Sequence, residues 1–240
     1  MRSWLRGKFK EVVWEIDLPR PIASPSVHLD LGSGSQPRNP FNCQRLIALD
    51  VFDAIEEPHS FEYVQADLTK HLPFEDNSIS SISAYDVLEH IPRWERVNDE
   101  IQFPFINLMS EVWRILKPLG YFYAVTPMFP SPAAFGDPTH VNVISETTIN
   151  YFVGENPLAR QLGYGFNGSF EVLFSGWLRG AGPYDKKGSL IHQMENATNF
   201  AERLIPAAKL TRRFLLRVIT KDKQHALWVL RKAPAEWIRG

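Results

Sequence analysis

The first ninety residues contain four short apolar runs, each followed by polar or glycine-bearing residues. These runs span residues 27–31, 46–49, 61–64 and 79–84. Continuous apolar runs of this length are typical of parallel strands that are buried on both faces. The pattern therefore predicts four parallel strands in this part of the chain.

The second half of the chain alternates helical and extended patterns. Residues 106–116 carry apolar side chains at helical spacing, and the Lys-Pro-Leu-Gly sequence that follows predicts the end of this helix. Further strands are predicted at 121–125, 169–177 and 225–230, and Ser145 is predicted to cap a short helix. Strands that alternate with helices or loops indicate an α/β domain, and no internal repeat divides the chain. We therefore interpret the chain as a single domain.

Composition is that of an ordinary globular protein, with 44% hydrophobic and 22% charged residues. No apolar run reaches the roughly 18 residues of a transmembrane helix, and charged residues near the N-terminus interrupt any signal-peptide pattern. Cys43 is the only cysteine, which excludes an intrachain disulfide and a zinc site built from several thiolates. We expect a cytoplasmic protein in a reducing compartment.

Charge is distributed unevenly, although the net charge is −1. Residues 201–240 carry ten Lys or Arg and three Asp or Glu, so the remainder of the chain is acidic. In an insertion at 178–223, Lys209, Arg213 and Arg217 recur every four residues beside an apolar face, which predicts an amphipathic helix. We expect this helix to pack on the sheet edge. The alternative is peripheral contact with an anionic membrane or a phosphate-linked glycan carrier.

Acidic residues and glycines come at the ends of the predicted strands, where an open α/β sheet binds its ligands. Asp30, Gly32 and Gly34 end the first strand, and the glycines allow a tight turn and close approach of backbone N–H groups to a ligand. Asp50 ends the second strand, where an acid can accept ribose hydroxyls. Asp67 follows the third strand and is placed to accept from an adenine amino group. Each acid alone is also explained as a turn or cap residue. The ordered set predicts an adenosine-containing cofactor.

Six segments in chain order, LDLGSG, LIALD, VQADL, LPFEDNSIS, AYDVLEHI and RILKPLGYFYAVTP, resemble the class I S-adenosylmethionine (SAM)-dependent methyltransferases. The resemblance implies an α/β Rossmann-like fold with a seven-stranded, mostly parallel sheet, an antiparallel last strand and helices on both faces. It also implies that SAM is the cofactor, that residues 26–127 form the cofactor-binding half, and that residues 128–240 supply the substrate side. The implied contacts are Asp30, Gly32 and Gly34 with the methionine moiety, Asp50 with ribose, Asp67 and Leu68 with adenine, and Tyr85 and Asp86 at the methionine end.

The glycine loop departs from the family pattern. Gln36 stands in place of the third glycine, and Pro37 and Pro40 leave too little room for the long helix that normally follows the first strand. We expect this helix to be shortened to a turn, and Arg38 to pair with the carboxylate of SAM in place of the helix dipole. The rival interpretation is a nicotinamide-dependent dehydrogenase, but the sequence lacks the complete Gly-x-Gly-x-x-Gly fingerprint.

The loop after the fifth strand carries the candidates for acceptor chemistry. A hydroxyl acceptor has to lose a proton, and His140, in the sequence FGDPTHVN, is the predicted general base. Asp137 is predicted to orient the imidazole of His140. The alternative is that Asp137 caps a turn at Pro138 and that His140 is a structural histidine.

The alternative interpretation of the same region is a metal site. Asp86, Glu89, His90 and the later His140 are similar to the metal site of the small-RNA 2'-O-methyltransferases, in which a divalent ion binds the acceptor hydroxyls. Relatives without a metal also carry a Glu-His pair at this place, where it packs the start of a helix. We therefore expect SAM as the cofactor and keep a divalent metal as the alternative.

The acceptor is expected to be a small molecule or a glycan rather than a nucleic acid. The Asn-Pro-Pro-Tyr type motif of base-amine methylation is absent, and so is a Pro-Cys nucleophile for C5 methylation. The segments PAAFGDPTHVN and YGFNGSFEV are similar to bacterial methyltransferases that we associate with cell-surface glycans or small metabolites. The alternatives are a metal-assisted nucleic-acid 2'-O-methyltransferase and a non-catalytic SAM-fold partner subunit.

Overall fold

The computed structural model describes residues 18, 24–53, 60–179 and 223–238. Its centre is a seven-stranded sheet, and a separate hairpin has two strands. The strands are β1 (Val27–Leu31), β2 (Arg45–Asp50), β3 (Glu62–Gln65), β4 (Ile79–Tyr85), β5 (Glu95–Val97), β6 (Glu100–Gln102), β7 (Leu116–Pro127), β8 (Phe170–Arg179) and β9 (Lys223–Lys232). The order in the large sheet is β3-β2-β1-β4-β7-β9-β8.

The large sheet is parallel except for its last strand. β1 pairs in parallel with β2 and β4, β2 with β3, and β4 with β7. β9 runs antiparallel to both β7 and β8. This arrangement confirms the predicted Rossmann-like fold with an antiparallel last strand. The carboxyl ends of β1, β2, β3, β4 and β7 meet at one edge, which is where an open α/β sheet binds ligands.

The two faces of β1 bury different kinds of side chain. Alternate residues from Val27 to Leu31 join the larger apolar cluster, which also contains the inner face of α1 (Pro104–Ile115). The side chains between them, His28 and Asp30, are fully buried among polar partners. Because successive side chains of a strand point to opposite faces, β1 has one apolar and one polar side within the sheet.

The glycine-bearing loop between β1 and β2 covers part of the second face. The structure describes every residue from 32 to 44, and these residues form turns without a helix. Phe41 is buried and stacks on Tyr121, with 5.5 Å between the ring centroids. Cys43 is buried in the same smaller apolar cluster. The loop thus takes the place of the long helix, as the prolines predicted.

The remaining helices are short. They are a 3-10 helix at Leu88–His90, α2 (Ala133–Gly136), a 3-10 helix at Thr148–Tyr151, α3 (Leu158–Gln161) and a 3-10 helix at Ala235–Ile238. The prediction that Ser145 caps a helix was wrong, because Thr147 precedes the helix there and the cap makes no side-chain hydrogen bond. The Ser145 hydroxyl instead contacts the hydroxyls of Thr147 and Thr148, each at 3.1 Å.

The hairpin of β5 and β6 was not predicted. Its strands have three residues each and carry charged side chains, so they show no apolar period. The turn residues Asn98 and Asp99 both have positive φ, at +49° and +65°. Two-residue hairpin turns favour this conformation, and Asn and Asp adopt it more readily than most residues. The Asn-Asp pair was therefore the signal in the sequence that could have predicted this hairpin.

The predicted amphipathic helix with Lys209, Arg213 and Arg217 lies outside the described residues, as does most of the insertion. None of the helices in the described ranges has the length and apolarity that crossing a bilayer requires.

Candidate cofactor and acceptor site

The glycine loop after β1 depends on glycine for two different reasons. Gly32 has a φ of +59°, and a Cβ atom there would lie 2.4 Å from Cγ2 of Val87. Gly34 has a φ of +54°, and nothing lies within 4 Å of the position of its Cβ. The N–H of Ser33 donates to the carbonyl of Leu49 and ties the loop to β2. The loop therefore packs closely against Val87, two residues after β4, and leaves open space at Gly34.

Asp50 lies beside this loop at the carboxyl end of β2. Its Oδ2 accepts from the N–H of Gly34 at 2.9 Å, and its Oδ1 accepts from the N–H of Val51 at 2.8 Å. The Asp50 carbonyl accepts from the N–H of Ala66, which places the end of β3 next to it. Oδ1 also accepts from the N–H of Phe52 at 3.3 Å, and Oδ2 has a second lone pair for a ligand hydroxyl. Asp50 thus organises the loop and remains suited to a ribose.

Asp30 is fully buried at the centre of a polar network. Ser83 Oγ donates to its Oδ1, and the N–H of Arg38 donates to its Oδ2 at 2.8 Å. Burial raises the pKa of Asp30 to about 6, against the effect of these hydrogen bonds. The described partners of both oxygens are groups of the chain itself, so Asp30 connects the glycine loop to β4. A direct contact of Asp30 with the methionine moiety stays a prediction.

His28 extends the network away from Asp30. Its Nε2 lies 2.8 Å from Ser83 Oγ, and its Nδ1 lies 2.8 Å from Ser81 Oγ. The side chain is fully buried, and burial lowers the pKa of His28 to about 3. His28 is therefore a neutral link that holds Ser83 against Asp30. Sequence reasoning missed it, because a histidine within a strand carries no local signal for this role.

Asp67 and Leu68 follow β3, next to the end of β2. Asp67 is exposed, and its Oδ1 accepts from both the N–H and the hydroxyl of Thr69 at 2.8 Å. This is a turn in which the aspartate bonds to the backbone two residues on. Leu68 is half-buried and packs against the larger apolar cluster. Contact of Asp67 and Leu68 with adenine stays a prediction.

Tyr85 and Asp86 end β4 beside the glycine loop. Arg38 Cζ lies 4.4 Å from the centroid of the Tyr85 ring. Asp86 has a φ of +51°, and its Oδ1 is a buried atom without a hydrogen bond from the described residues. The Nε2 of His225, on β9, lies 3.4 Å from this oxygen. Burial raises the pKa of Asp86 to about 6, against the attraction of Arg38 and His140. An ammonium group would satisfy this oxygen.

Glu89 lies one turn further on and is buried, with 1% of its side chain exposed. Its Oε2 accepts from the hydroxyl of Thr126 at 2.9 Å. Its Oε1 makes no hydrogen bond to the described part of the chain and lies 4.0 Å from Nε2 of His140. Burial raises the pKa of Glu89 to about 8, and the charge of Asp86 acts in the same direction. A buried oxygen without a donor is costly, which makes it a candidate for ligand binding.

His140 meets Glu89 because the loop after β7 is bonded to the short helix after β4. The N–H groups of Val141 and Asn142 both donate to the carbonyl of Glu89 at 2.9 Å. The ring of His140 also meets the ring of His90 edge to face, with 4.9 Å between centroids. The structure therefore brings His140 together with the consecutive residues Glu89 and His90, which lie much earlier in the sequence. Their ligand atoms lie within 4.8 Å of one another.

Asp137 is exposed at the start of this loop. Its Oδ1 accepts from the N–H of Thr139 at 2.8 Å and from the hydroxyl of Thr139 at 2.7 Å. This is the turn-cap role that was the alternative expectation for Asp137. The carboxyl group that faces the imidazole of His140 is that of Glu89, and Nδ1 of His140 lies 3.4 Å from the carbonyl of Ala134.

Comparison with known proteins gives a matching family and a matching fold. Residues 29–102 match the family described as "Methyltransferase domain". A putative methyltransferase from Bacillus halodurans is 15% identical, has a TM-score of 0.50, and is matched over 89% of this chain and 96% of its own. A SAM-dependent methyltransferase from Archaeoglobus fulgidus is 14% identical, has a TM-score of 0.50, and is matched over 87% of both chains. At this identity the two structures show the shared fold. No curated protein sequence matches the chain significantly.

The family match covers the glycine loop, the ends of β2 and β4, and the segment that carries Glu89 and His90. The strand order and the antiparallel last strand agree with the same fold. The chain therefore resembles the SAM-dependent methyltransferases, with a methyltransferase-domain match over residues 29–102 and the same fold.

Proposed function

We propose that the chain transfers the methyl group of SAM to a hydroxyl, or a similar nucleophile, of a small molecule or glycan. The observation that carries this proposal is the pair formed by His140 Nε2 and Glu89 Oε1, 4.0 Å apart at the edge of the sheet that binds ligands. A hydroxyl must lose its proton to attack a methyl group, and an imidazole next to a carboxyl group is suited to accept it.

The residues at the carboxyl ends of the strands fit SAM. Asp86 Oδ1 is a buried acceptor that receives no hydrogen bond from the described residues, with His225 Nε2 3.4 Å away, and it suits the ammonium group of a methionine moiety. Gly34 leaves open space beside Asp50, where ribose hydroxyls would be accepted. Arg38 is close enough to influence the charge of Asp86, and we propose that it pairs with the methionine carboxylate.

When bound, SAM supplies an activated methyl group together with a neutral leaving group. With SAM held by these residues, His140 Nε2 would accept the proton that the acceptor hydroxyl loses on methylation, and the methyl group would come from SAM with its sulfur as the leaving group. Above a pH of about 8, where Glu89 is ionised, it stabilises the imidazolium that forms, because the two charges are opposite and the pair is shielded from water. The loop that carries His140 holds the acceptor in line, and positioning supplies much of the rate.

Exposed aromatic residues beside His140 support a sugar or another ring-bearing acceptor. Phe129 and Phe135 are 51% and 57% exposed, and their rings meet edge to face with 6.3 Å between centroids. Phe135 is adjacent to Ala134, whose carbonyl lies next to the ring of His140. Exposed ring faces beside a polar centre are typical of sites that bind sugars and small aromatic molecules.

The acceptor side is tested with SAM that carries a labelled methyl group and a panel of acceptors. The panel contains mono- and oligosaccharides, phenols, amines, and single- and double-stranded RNA. We expect label on a hydroxyl, and a decrease in kcat of about a hundredfold or more in His140→Ala with little change in SAM affinity. The matched control is His71→Ala, because His71 is exposed and outside the site. Label on RNA alone, or full activity in His140→Ala, would contradict the proposal.

The donor side is tested by calorimetry with SAM and with its demethylated product. Asp50→Asn keeps the shape of the side chain but removes its charge. Loss of charge-assisted hydrogen bonds to ribose costs about 1.5–3 kcal/mol, so we expect affinity to fall about ten- to a hundredfold. Absence of SAM binding by the unmodified chain would instead favour the alternative of a non-catalytic partner subunit.

A further inference from the structure

We propose that Glu89, His90 and His140 form a binding site for one divalent cation next to the site of methyl transfer. The cation site stands on its own geometry, and only its part in activating the acceptor rests on the proposed methyl transfer, in which the cation would replace His140 as the activating group. One ligand atom from each residue lies within 4.8 Å of the other two. Two imidazoles and one carboxylate are a ligand set that binds zinc, manganese, iron or cobalt, and three protein ligands leave positions open for other molecules.

Each of the three side chains has a polar contact through the atom that would not bind the cation. Glu89 Oε2 accepts from Thr126, which leaves Oε1 for a cation. His90 Nδ1 lies 3.0 Å from the hydroxyl of Thr139, which leaves Nε2. His140 Nδ1 lies 3.4 Å from the carbonyl of Ala134, which leaves the Nε2 atom that faces Glu89. Such outer contacts fix the orientation of metal ligands and raise their affinity.

The Oε1 atom of Glu89 is an independent indication of a ligand. It is buried, the side chain is 1% exposed, and the atom makes no hydrogen bond to the described residues. A buried acceptor in this state is destabilising unless something satisfies it. It lies 4.0 Å from His140 Nε2, so an ion between the two atoms would contact both after a small side-chain movement. The oxygen is thus directed into the cluster and not toward solvent.

The backbone holds the ligands together before any ion arrives. The Glu89 carbonyl accepts from the N–H groups of both Val141 and Asn142, and the side-chain amide of Asn142 donates to the carbonyl of Leu88 at 2.9 Å. These bonds join the segment that carries Glu89 and His90 to the segment that carries His140. A site whose ligands are fixed in this way binds an ion with little cost of reorganisation.

A cation at this position would change how the acceptor is activated. Its open positions would hold the acceptor hydroxyl close to the transferred methyl group, and its charge would make the hydroxyl proton easier to lose. His140 would then be a metal ligand and not the general base. The two routes therefore predict different responses to a chelator.

Cation binding is measured first without any methylation assay. The protein is treated with a chelator, dialysed, and titrated with Co²⁺, Mn²⁺ or Zn²⁺ by calorimetry, with the visible absorption of Co²⁺ as a second readout. We expect one equivalent to bind, and the affinity to fall at least a hundredfold in Glu89→Gln and in His140→Ala. Thr126→Val, which removes an outer contact, should lower it about tenfold. His71→Ala is the control with unchanged affinity, and thermal melting checks that each variant is folded.

The outcomes separate this proposal from the proposed function. Binding of less than one equivalent, or binding that survives both Glu89→Gln and His140→Ala, would overturn the cation site. If the chelated protein methylates a hydroxyl at the full rate, the cation takes no part and His140 acts as the base. If the cation binds as expected but no hydroxyl in the acceptor panel is labelled, the site stands and the proposed function fails.

Discussion

The buried histidine of β1 should make the protein less stable in mild acid. His28 is fully buried, and its pKa is lowered to about 3, from an ordinary value of 6.5. As the pH falls below 6.5, the unfolded chain binds a proton at His28 that the folded chain does not bind. The contribution of His28 to the free energy of unfolding is therefore largest above pH 6.5 and decreases from there down to about pH 3.

The magnitude follows from the two pKa values. Each unit of pKa difference corresponds to about 1.4 kcal/mol, so full protonation of the unfolded chain costs about 5 kcal/mol of stability. Between pH 7 and pH 5 the loss is about 2 kcal/mol. Replacing His28 by glutamine removes the titrating group. Asp30 is present in both proteins and shifts stability with pH in the opposite direction, so its contribution largely cancels in the difference.

The assay is urea unfolding of the unmodified chain and of His28→Gln at several pH values from 5 to 8. We expect the variant to be less stable at pH 7, because it loses hydrogen bonds to Ser81 and Ser83. Its disadvantage should shrink by about 2 kcal/mol at pH 5. Ser81→Ala is the matched control, since it removes one partner but keeps the buried imidazole, and it should follow the pH dependence of the unmodified chain. A difference between His28→Gln and the unmodified chain that is constant over this range would refute the reasoning.

Two further predictions concern stability. Gly32→Ala should be destabilising because the added Cβ would lie 2.4 Å from Val87 Cγ2 at a φ of +59°. Adding Val87→Ala should restore part of the lost stability by removing the clash, but not the cost of about 1 kcal/mol for an alanine at positive φ. A double-mutant cycle of thermal unfolding measures this, and purely additive effects of the two substitutions would contradict the prediction. Arg114→Lys should cost about 2 kcal/mol in urea unfolding, because lysine cannot form the two hydrogen bonds that Arg114 makes with Glu111. The exposed Arg45 provides the control, since Arg45→Lys should cost less than about 1 kcal/mol, and equal losses would count against the argument.

The strands and the glycine loop were predictable because their signals are local. Short runs rich in apolar residues that end at glycines or acids predicted β1, β2 and β4 within one or two residues of their ends, although β1 and β4 bury polar side chains on one face. β7 is longer than predicted and starts at Leu116, because Leu116 pairs with Ile79 before an irregularity in the register, and the exposed Pro118 and Leu119 within that irregularity have no strand pattern. The absence of a helix from 32 to 44 was predictable from Pro37 and Pro40, since proline lacks the N–H that a helix interior requires.

The edge of the sheet where the site lies was also predictable, because the carboxyl ends of parallel strands meet there. Asp30, Asp50 and Asp86 could be assigned to that edge before any coordinates were known. Which atoms they bond to was not predictable, since this depends on distances between separate segments. Asp30 bonds to Ser83 and to the N–H of Arg38, and these contacts exist only once β1, β4 and the loop are in place.

The sequence by itself therefore determined the fold class, and its resemblance to the methyltransferases predicted the methyl donor and the edge of the sheet that would bind it. The signals for the fold are apolar periods, glycines and acids within a few residues of one another. The tertiary structure decided which groups lie around His140. Glu89 meets His140 through two hydrogen bonds from loop N–H groups, and antiparallel pairing of β9 with β7 brings His225 to Asp86. Backbone N–H and carbonyl groups are the same in nearly every residue, so their long-range pairing leaves little trace in the amino-acid sequence.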